Sequence, residues 1–427
     1  MRGSAGWMTG GLVLLSLGGL ANRGLGQGLP RAKPEEVGLS STALDKIKPW
    51  LQGQVDSGKY AGVVALVARK GKLAWSASAG WLDRERHTPI GEDALFEVCS
   101  MTKPVTAAAI LELYDRGALK LDDPVSKFIP AFGRVKVFAG GSAAHPVLAD
   151  PVQPLRISHL LTHTSGLSYG LFSNTPVDTL YLGSNVFDSH RTLAELVDTL
   201  ARLPLLFQPG TSWHYGMSLD VLGRVIEVVS EKSFDRYLSD ELLEPLGMQH
   251  SGFRIPAAGG TLATMYAPAP AGGLAPQTGA LCYDPSAEAK LLAGGSGLLS
   301  TTGDYLRFLQ MLLNGGTLDG HRVLKPETVR LMLSNELPAA VMGGRIPAEN
   351  LAQRGYGQGF GGAVLVDSAA SGLPGSPGIY RWWGYASTHF WIDPKQELVG
   401  MLWAQLVPGS PLSPIEFQRL VYAALKH

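Results

Sequence analysis

Ser100 and Lys103 stand three residues apart at the beginning of a segment whose composition predicts a buried helix. Positions i and i+3 of a helix share one face, so the hydroxyl and the amine are expected to lie side by side. A serine hydroxyl is a weak nucleophile until a neighbour takes its proton, and a lysine held away from water can do so. About one such spacing is expected by chance in a chain of this length. The flanking residues therefore decide between a reactive pair and a coincidence.

The residues after Lys103 predict how this pair is held. Pro104 has no backbone N–H and is tolerated in the first turn of a helix, which places the start of the helix beside Ser100. The largely apolar run 105–114 predicts a helix that ends at Gly117. A hydroxyl at a helix N-terminus lies at the positive end of the helix dipole, which favours a developing negative charge. The segment is therefore typical of an activated serine that can accept an acyl group.

Composition restricts the partners of this chain. It has 36 basic and 36 acidic residues and no basic run interleaved with aromatic residues, which argues against a nucleic-acid partner. Its 10 histidines form no recognisable metal-binding pair, so we expect neither a metal nor a cofactor. Cys99 and Cys282 are too few for a disulfide scaffold and are expected to be small buried apolar residues. The oligomeric state stays open.

Residues 1–28 resemble a secretory signal peptide. Arg2 is followed by an uncharged apolar stretch, 7–20, and by small residues, and no acidic residue precedes Glu35. The apolar stretch is too short to span a bilayer, so we expect no stable membrane insertion. A mitochondrial transit segment and an unprocessed leader are the alternatives. We expect a secreted or periplasmic protein.

Apolar runs near both ends of the chain predict strands, and the segment between them predicts helices. The predicted strands are 62–68, 73–80, 360–366, 380–383, 388–392 and 398–406. The predicted helices are 40–59, 193–203, 219–229, 234–243, 304–313 and 414–425. We therefore predict an α/β (α+β) protein whose antiparallel sheet is built by residues 29–95 and 288–427, with a mainly helical domain at 96–287.

A tyrosine on a short loop is the second candidate for the site. Pro209 and Gly210 signal a turn and a helical segment begins at 219, so Tyr215 stands on a loop that could project into a cleft. A phenol beside a cationic lysine loses its proton more easily and can act as a base or a proton relay. A lone tyrosine is more often a core residue with a satisfied hydroxyl, and this alternative stays open.

The third candidate is Trp382-Trp383-Gly384 on a late strand, followed by Tyr385. Small residues let a substrate approach the backbone, and a strand edge offers N–H groups to an oxyanion. The alternative is an aromatic strand that packs in the core.

Ser168 competes with Ser100 for the role of nucleophile. The segment 166–170 matches Gly-x-Ser-x-Gly, which forms the nucleophile elbow of α/β-hydrolases when a strand precedes it and a helix follows. Here residues 160–164 predict the end of a helix, and an irregular stretch rich in Gly, Ser and Asn follows. We therefore do not expect Ser168 to be the nucleophile.

Five blocks of sequence follow one another between Pro34 and the C-terminus. They are Ser100-Met101-Thr102-Lys103-Pro104, LLTHTSGL at 160–167, Pro209-Gly210 ahead of Tyr215, PLGM at 245–248 and GLLST at 297–301. In this order they resemble the serine β-lactamase-like superfamily of class C type, and most closely the family VIII carboxylesterases. The resemblance implies an α/β domain with an antiparallel sheet, a helical domain, and an active site in the groove between them.

The resemblance also implies a role for each candidate residue. Ser100 would be the nucleophile, Lys103 its activating base, and Tyr215 the tyrosine of the Tyr-x-Asn element that passes the proton to the leaving group. The segment Trp382-Trp383-Gly384 would replace the Lys-Thr-Gly strand motif of the superfamily. The backbone N–H groups of Ser100 and Tyr385 would form the oxyanion hole.

Two departures from the β-lactamase pattern concern substrate binding. Met217 stands where β-lactamases have the asparagine that contacts the substrate amide, and Trp382 stands where they have a lysine that helps to hold the substrate carboxylate. An uncharged ester needs neither contact, and Trp382, Trp383, Gly384 and Met217 are the expected substrate-binding residues. The loops 168–192 and 254–285 are expected to shape the pocket.

The sequence therefore predicts a serine carboxylesterase that hydrolyses short-chain esters through an acyl-enzyme, with slow cephalosporin hydrolysis as a possible side activity. A small-molecule ester is the expected partner. A class C β-lactamase or a D-amino-acid peptidase with the same residues is one alternative, and a non-catalytic binding protein on the same fold is another.

Overall fold

The computed structural model describes residues 28–255, 257–277, 279, 281–284, 286, 288–341, 354–409 and 412–426. The predicted leader, residues 1–28, lies outside these ranges except for its last residue. The helices are α1 (Ser41–Leu44), α2 (Ile47–Asp56), α3 (Thr102–Asp115), α4 (Ile157–Leu161), α5 (Pro176–Gly183), α6 (Leu193–Leu200), α7 (Ser218–Ser230), α8 (Phe234–Leu238), α9 (Thr302–Leu313), α10 (Pro326–Met332), α11 (Ser368–Ser371) and α12 (Leu412–Tyr422). None of the helices in these ranges is both long and apolar enough to cross a bilayer.

Strands and short turns complete the inventory of elements. The strands are β1 (Gly62–Arg69), β2 (Lys72–Asp83), β3 (Thr88–Pro89), β4 (Leu95–Glu97), β5 (Val137–Gly141), β6 (Pro146–Ala149), β7 (Tyr266–Pro268), β8 (Leu274–Pro276), β9 (Leu299–Thr301), β10 (Thr317–Leu318), β11 (His321–Arg322), β12 (Tyr356–Gln358), β13 (Ala363–Leu365), β14 (Tyr380–Gly384), β15 (Thr388–Asp393) and β16 (Leu398–Ala404). Short 3₁₀ turns occur at Pro34–Val37, Cys99–Met101, Val125–Lys127 and Pro130–Arg134, and a π turn at Ser239–Leu243 continues α8.

Eight strands form one antiparallel sheet in the order β12-β13-β14-β15-β16-β1-β2-β3. The two ends of the chain meet in it at β1 and β16, where Val64 pairs with Trp403 and Leu66 with Met401. Helix α2 packs on β1 and β2, and α9 and α12 pack on β16. Residues 62–68 of β1 are therefore all buried, which explains a continuous apolar run in place of alternation. The predicted fold class, an antiparallel sheet flanked by helices, is confirmed.

Helices α3 to α8 lie between the two parts of the chain that build the sheet. Helix α7 packs against α3, α4, α6 and α8. Every residue of α3 from Thr102 to Leu113 is buried, which explains why its sequence has no polar face. One hydrophobic core includes both Val64 of the sheet and Leu222 of α7. The division into a sheet domain and a helical domain stays a prediction.

Several element boundaries differ from the expected ones. The predicted strand 360–366 is reduced to β13, because Gly361 takes a positive φ of 75° in the turn before it. A side chain at Gly361 would lie 2.8 Å from the carbonyl oxygen of Lys103, so this turn packs directly on the beginning of α3. The predicted helical region also contains two small ribbons, β5–β6 and β7–β8.

The expectation for the two cysteines is wrong, because Cys99 and Cys282 form a disulfide. Their Cα atoms lie 5.2 Å apart although 183 residues separate them in sequence. Cys99 directly precedes Ser100, and Cys282 belongs to the segment 281–284. The disulfide therefore ties that segment to the turn that carries Ser100.

Candidate active site

The 3₁₀ turn before α3 and the first turn of α3 bring Ser100 and Lys103 together. The 3₁₀ turn Cys99–Met101 carries the serine, and α3 begins immediately after it. The Nζ of Lys103 donates a hydrogen bond to Ser100 Oγ at 3.2 Å and another to the carbonyl oxygen of Gly295 at 2.7 Å. Lys103 is fully buried, whereas Ser100 is partly exposed. A substrate can therefore reach the hydroxyl while the amine stays away from water.

Burial changes the acidity of Lys103. Removal from water disfavours the ammonium form and lowers the pKa of Lys103 to about 7, although the nearby carboxyl of Asp220 opposes part of this change. A substantial fraction of the lysine is therefore neutral at neutral pH. A neutral amine within hydrogen-bond distance of a hydroxyl can accept its proton.

Tyr215 lies on the loop before α7, beside the same pair. Lys103 Nζ lies 4.6 Å from the centroid of the Tyr215 ring, and the Ser100 hydroxyl is within hydrogen-bonding reach of the phenol. Burial raises the pKa of Tyr215 well above its ordinary value, and the hydrogen bond with Ser100 opposes only part of the rise. The expectation of a more easily deprotonated phenol is therefore wrong. Tyr215 is a neutral phenol that can donate a proton in a relay.

A cage of rings holds Tyr215 in place. The tyrosine ring lies within 6.4 Å, centroid to centroid, of five others. They belong to His163, Tyr169, Phe172, Trp213 and Trp382. Aromatic packing of this kind fixes the orientation of the phenol. Sequence analysis singled out the block around His163 but gave no indication that it packs on Tyr215.

Strand β14 brings Gly384 and Tyr385 next to Ser100. A side chain at Gly384 would lie 2.3 Å from the carbonyl oxygen of Val98, so only glycine permits this approach. β14 lies between β13 and β15, but β13 pairs only with Tyr380 and Arg381, so the segment 382–384 pairs on one side only and forms a local strand edge, as expected. Tyr385 follows the end of the strand. Within the described residues, neither its N–H nor that of Ser100 has a hydrogen-bond acceptor.

Two of the expected substrate-binding side chains are buried. Trp382 is 2% exposed and Met217 is 3% exposed. The indole of Trp382 packs against Tyr215 with 5.7 Å between ring centroids. Trp382 therefore supports the tyrosine more than it offers open surface, whereas Trp383 is partly exposed.

Ser168 lies in a hydrogen-bonded cluster of its own. Its fully buried hydroxyl donates to Asp178 Oδ1 at 2.7 Å and accepts from the N–H of Gly170 at 2.8 Å, and His214 Nε2 lies 3.2 Å away. No strand precedes it, since α4 ends at Leu161. The acid contacts the serine directly instead of orienting the histidine, so the arrangement lacks the order of a catalytic triad.

A cavity of about 110 Å³ lies beside Tyr169, Met217 and Asp220. Tyr169 and Met217 belong to its wall. The wall also contains residues from both of the loops that were expected to shape a pocket. From the loop 168–192 come Tyr169, Val186, Phe187 and Ser189, and from 254–285 come Arg254, Leu281, Cys282, Tyr283 and Asp284. The disulfide thus links the wall of the cavity to the turn that carries Ser100.

The sequence of this chain matches a known family over most of its length. The chain belongs to the beta-lactamase family, whose model matches residues 47–424. Over 373 residues it is 34% identical to Protein Rv1367c of Mycobacterium tuberculosis, covering 83% of this chain and 88% of that protein. Over 358 residues it is 34% identical to Esterase EstB of Burkholderia gladioli, covering 78% of this chain and 83% of the esterase.

A solved structure agrees with these relatives. The fold matches that of EstCE1, described as a hydrolase with promiscuous acyltransferase activity, with a TM-score of 0.76 and 27% identity. The match covers 89% of this chain and 99% of EstCE1. The predicted membership of the serine β-lactamase-like superfamily, with esterase relatives, is confirmed. These relatives support hydrolase activity on this fold.

Proposed function

We propose that this protein is a serine carboxylesterase that hydrolyses short-chain acyl esters through a covalent acyl-enzyme. The observation that carries the proposal is the 3.2 Å hydrogen bond between the buried Lys103 amine and the accessible Ser100 hydroxyl. Its relative EstB is an esterase and its structural neighbour EstCE1 is a hydrolase, which supports ester hydrolysis on this fold. The assignment to family VIII belongs to the same proposal.

Acylation begins when Ser100 Oγ attacks the ester carbonyl carbon. Neutral Lys103 takes the hydroxyl proton as the new C–O bond forms, and the carbonyl oxygen becomes an oxyanion that accepts from the N–H groups of Ser100 and Tyr385. The tetrahedral intermediate then collapses and the bond to the alcohol oxygen breaks. Tyr215 gives its proton to that oxygen and regains one from the protonated Lys103, so that the alcohol leaves neutral.

Deacylation repeats these steps with water as the nucleophile. Water adds to the acyl carbon as Tyr215 takes its proton and passes its own to neutral Lys103. The bond to Ser100 Oγ then breaks, and the protonated Lys103 returns a proton to the serine. The products are the free acid and the original enzyme. An alcohol in place of water would give acyl transfer, the side activity described for EstCE1.

Substrate choice follows from the groups that this site lacks. Met217 and Trp382 offer neither an amide nor a cation to an anionic lactam, and both are buried among apolar neighbours. An uncharged ester loses nothing from their absence. A class C β-lactamase or D-amino-acid peptidase is the competing function. A higher kcat/KM for nitrocefin than for a butyrate ester would favour it over the proposal.

The decisive experiment compares Ser100→Ala with Ser168→Ala on p-nitrophenyl butyrate. Loss of activity only in Ser100→Ala supports the proposal, and loss only in Ser168→Ala overturns it. Intact-mass measurement after exposure to the activated ester adds a second readout. We expect an acyl adduct on the unmodified protein and none on Ser100→Ala. If neither protein carries the adduct, a non-catalytic binding protein is favoured.

We also propose that the protein works in an oxidising compartment, as a secreted or periplasmic enzyme. The disulfide between Cys99 and Cys282 supports this location, because such bonds persist mainly outside the cytosol. Alkylation of the protein freshly isolated from its native cells should leave both cysteines unmodified until a reductant is added. Alkylation of both without a reductant would contradict the proposal.

A further inference from the structure

One buried acid beside the site has no evident structural reason to be there. Asp220 lies in the first turn of α7 and is 3% exposed. Its Oδ1 accepts a hydrogen bond from the N–H of Gly295 at 3.0 Å, but its Oδ2 is buried and has no hydrogen-bond partner within the described residues. A buried carboxylate oxygen without a donor costs free energy, so the fold must keep this acid for some other interaction.

The peptide of Gly295 joins Asp220 to Lys103. Its N–H donates to Asp220 Oδ1, and its carbonyl oxygen accepts from Lys103 Nζ at 2.7 Å. A side chain at this glycine would lie 2.7 Å from Asp220 Oδ2 and 2.9 Å from the hydroxyl of Tyr169. There is therefore room only for glycine at this position. The carboxyl of Asp220, the Gly295 peptide and the Lys103 amine form a continuous series of hydrogen bonds that ends at Ser100.

The groups around Lys103 leave Asp220 as its counter-charge. The titratable side chains that face the amine are His163 from the segment after α4, Tyr169 from the following loop, Tyr215 and Asp220. Burial lowers the pKa of His163 well below its ordinary value and raises the pKa of both tyrosines, so these three groups are neutral. Burial raises the pKa of Asp220 and the Lys103 amine opposes part of this rise, so among the described residues Asp220 is the neighbour that can bear a negative charge next to the amine.

We propose that Asp220 is a positioning residue for Lys103, which it orients through the Gly295 peptide and whose ammonium form it stabilises after Ser100 gives up its proton. This inference rests on the proposed function, in which Lys103 is the base. The logic is that of a catalytic base oriented by a third group, with a lysine in the place of the usual histidine. Asp220 itself keeps its protonation state and touches no reacting atom.

Removal of the negative charge should have two opposite effects on Lys103. Without the carboxylate, the ammonium form loses its stabilising neighbour and the pKa of Lys103 falls further. More of the lysine is then neutral at low pH, but each neutral lysine is a weaker base. A purely structural acid would not couple these two changes.

The test measures kcat and KM of Asp220→Asn between pH 5 and 10 with p-nitrophenyl butyrate. We expect the acidic limb of kcat/KM to move by about one pH unit to lower pH. We expect the plateau to fall by about tenfold or more, mainly in kcat. Asp220→Glu keeps the charge and should keep the limb near its original position. A lower rate in Asp220→Asn with an unmoved limb would overturn the inference.

Asp178→Asn is the matched control, because this acid is also buried but bonds to Ser168, Ser173 and Thr175 instead of facing Lys103. Its pH limb should match that of the unmodified protein, and an equal shift in this control would overturn the inference. Thermal melting establishes that each variant is folded. Acylation of Ser100 in the unmodified protein separates the two proposals. If Ser100 is not acylated, the proposed function is wrong. If Asp220→Asn is still acylated but the acidic limb of its kcat/KM profile has not moved, only the role of Asp220 is wrong.

Discussion

Two serines in this molecule each lie beside a base, and their surroundings differ. Ser100 is partly exposed and its Oγ accepts one hydrogen bond from Lys103, an amine whose pKa burial lowers to about 7. Ser168 is fully buried, donates to Asp178 and accepts from Gly170. The first hydroxyl can turn its oxygen toward a substrate, whereas the second has its proton committed to a carboxylate.

Under the proposed function, proximity to a base alone does not make a serine a nucleophile. Ser168 lies 3.2 Å from His214 Nε2, the same distance that separates Ser100 Oγ from the lysine amine. The difference is that Ser168 is fully buried and its hydroxyl proton is already donated to Asp178. Exposure and the commitment of the hydroxyl proton therefore distinguish Ser100, the serine proposed to react, from Ser168.

The largest loss of activity is expected from substitution of Lys103, the base beside Ser100, and a small loss there would contradict the comparison of the two serines. Lys103→Met should lower kcat/KM by about 10³-fold or more, because Lys103 is the base of the proposed mechanism. In the unmodified protein the protonated lysine cannot accept the serine proton. Activity should therefore rise with pH through about 7, where Lys103 becomes neutral. A pH–rate profile of kcat/KM measures both.

Lys103→Arg is the matched control for this prediction. A guanidinium keeps the positive charge but does not lose its proton at any pH used, so it should be as inactive as Lys103→Met. Substantial activity of Lys103→Arg at neutral pH would show that charge, and not proton transfer, is what Ser100 needs. Lys103→Met should also be less stable to denaturant than the unmodified protein, since it leaves the buried Asp220 without its counter-charge and the carbonyl oxygen of Gly295 without its donor.

A smaller effect is expected from Tyr215→Phe, which removes the hydroxyl but keeps the ring within its aromatic cage. If the phenol donates a proton to the leaving alcohol, kcat/KM, which reports acylation, should fall by about 10²-fold on an alkyl ester. The loss should be much smaller on a p-nitrophenyl ester, because p-nitrophenolate leaves without a proton. Equal losses on both esters would show that the Tyr215 hydroxyl does not act by giving a proton to the leaving alcohol.

The sequence predicted those features that depend on local patterns. The spacing of Ser100 and Lys103, with Pro104 behind them, placed both groups at the start of a helix, and α3 begins at Thr102. The turn at Pro209 and Gly210 placed Tyr215 on a loop, and α7 follows it. Each of these inferences required only a few neighbouring residues and the geometry of one helix.

Features that depend on distant residues were missed. The pairing of Cys99 with Cys282 joins positions 183 residues apart, and neither flanking sequence indicates the other. Asp220 is one acidic residue in a helix, and its relation to Lys103 passes through Gly295, which lies far along the chain. The raised pKa of Tyr215 likewise depends on burial within a cage assembled from several segments. Only tertiary structure supplies such information.

The smallest effect on activity is expected at the second serine. Ser168→Ala removes the donor to Asp178 and leaves the N–H of Gly170 without its acceptor. The free energy of unfolding should fall by about 1–3 kcal/mol. Urea unfolding measures this change, and kcat on the butyrate ester should stay within about threefold.

Ser173→Ala sharpens the result because Ser173 donates to the other oxygen of the same acid, Asp178 Oδ2, at 2.6 Å from a less buried position. Asp178 Oδ2 keeps its hydrogen bonds from Thr175 in that variant, so the loss of stability should be smaller than for Ser168→Ala. A Ser168→Ala protein that unfolds at the original urea concentration yet has lost its esterase activity would exchange the roles of the two serines. The difference in hydrogen bonding between the two hydroxyls would then no longer explain which serine reacts.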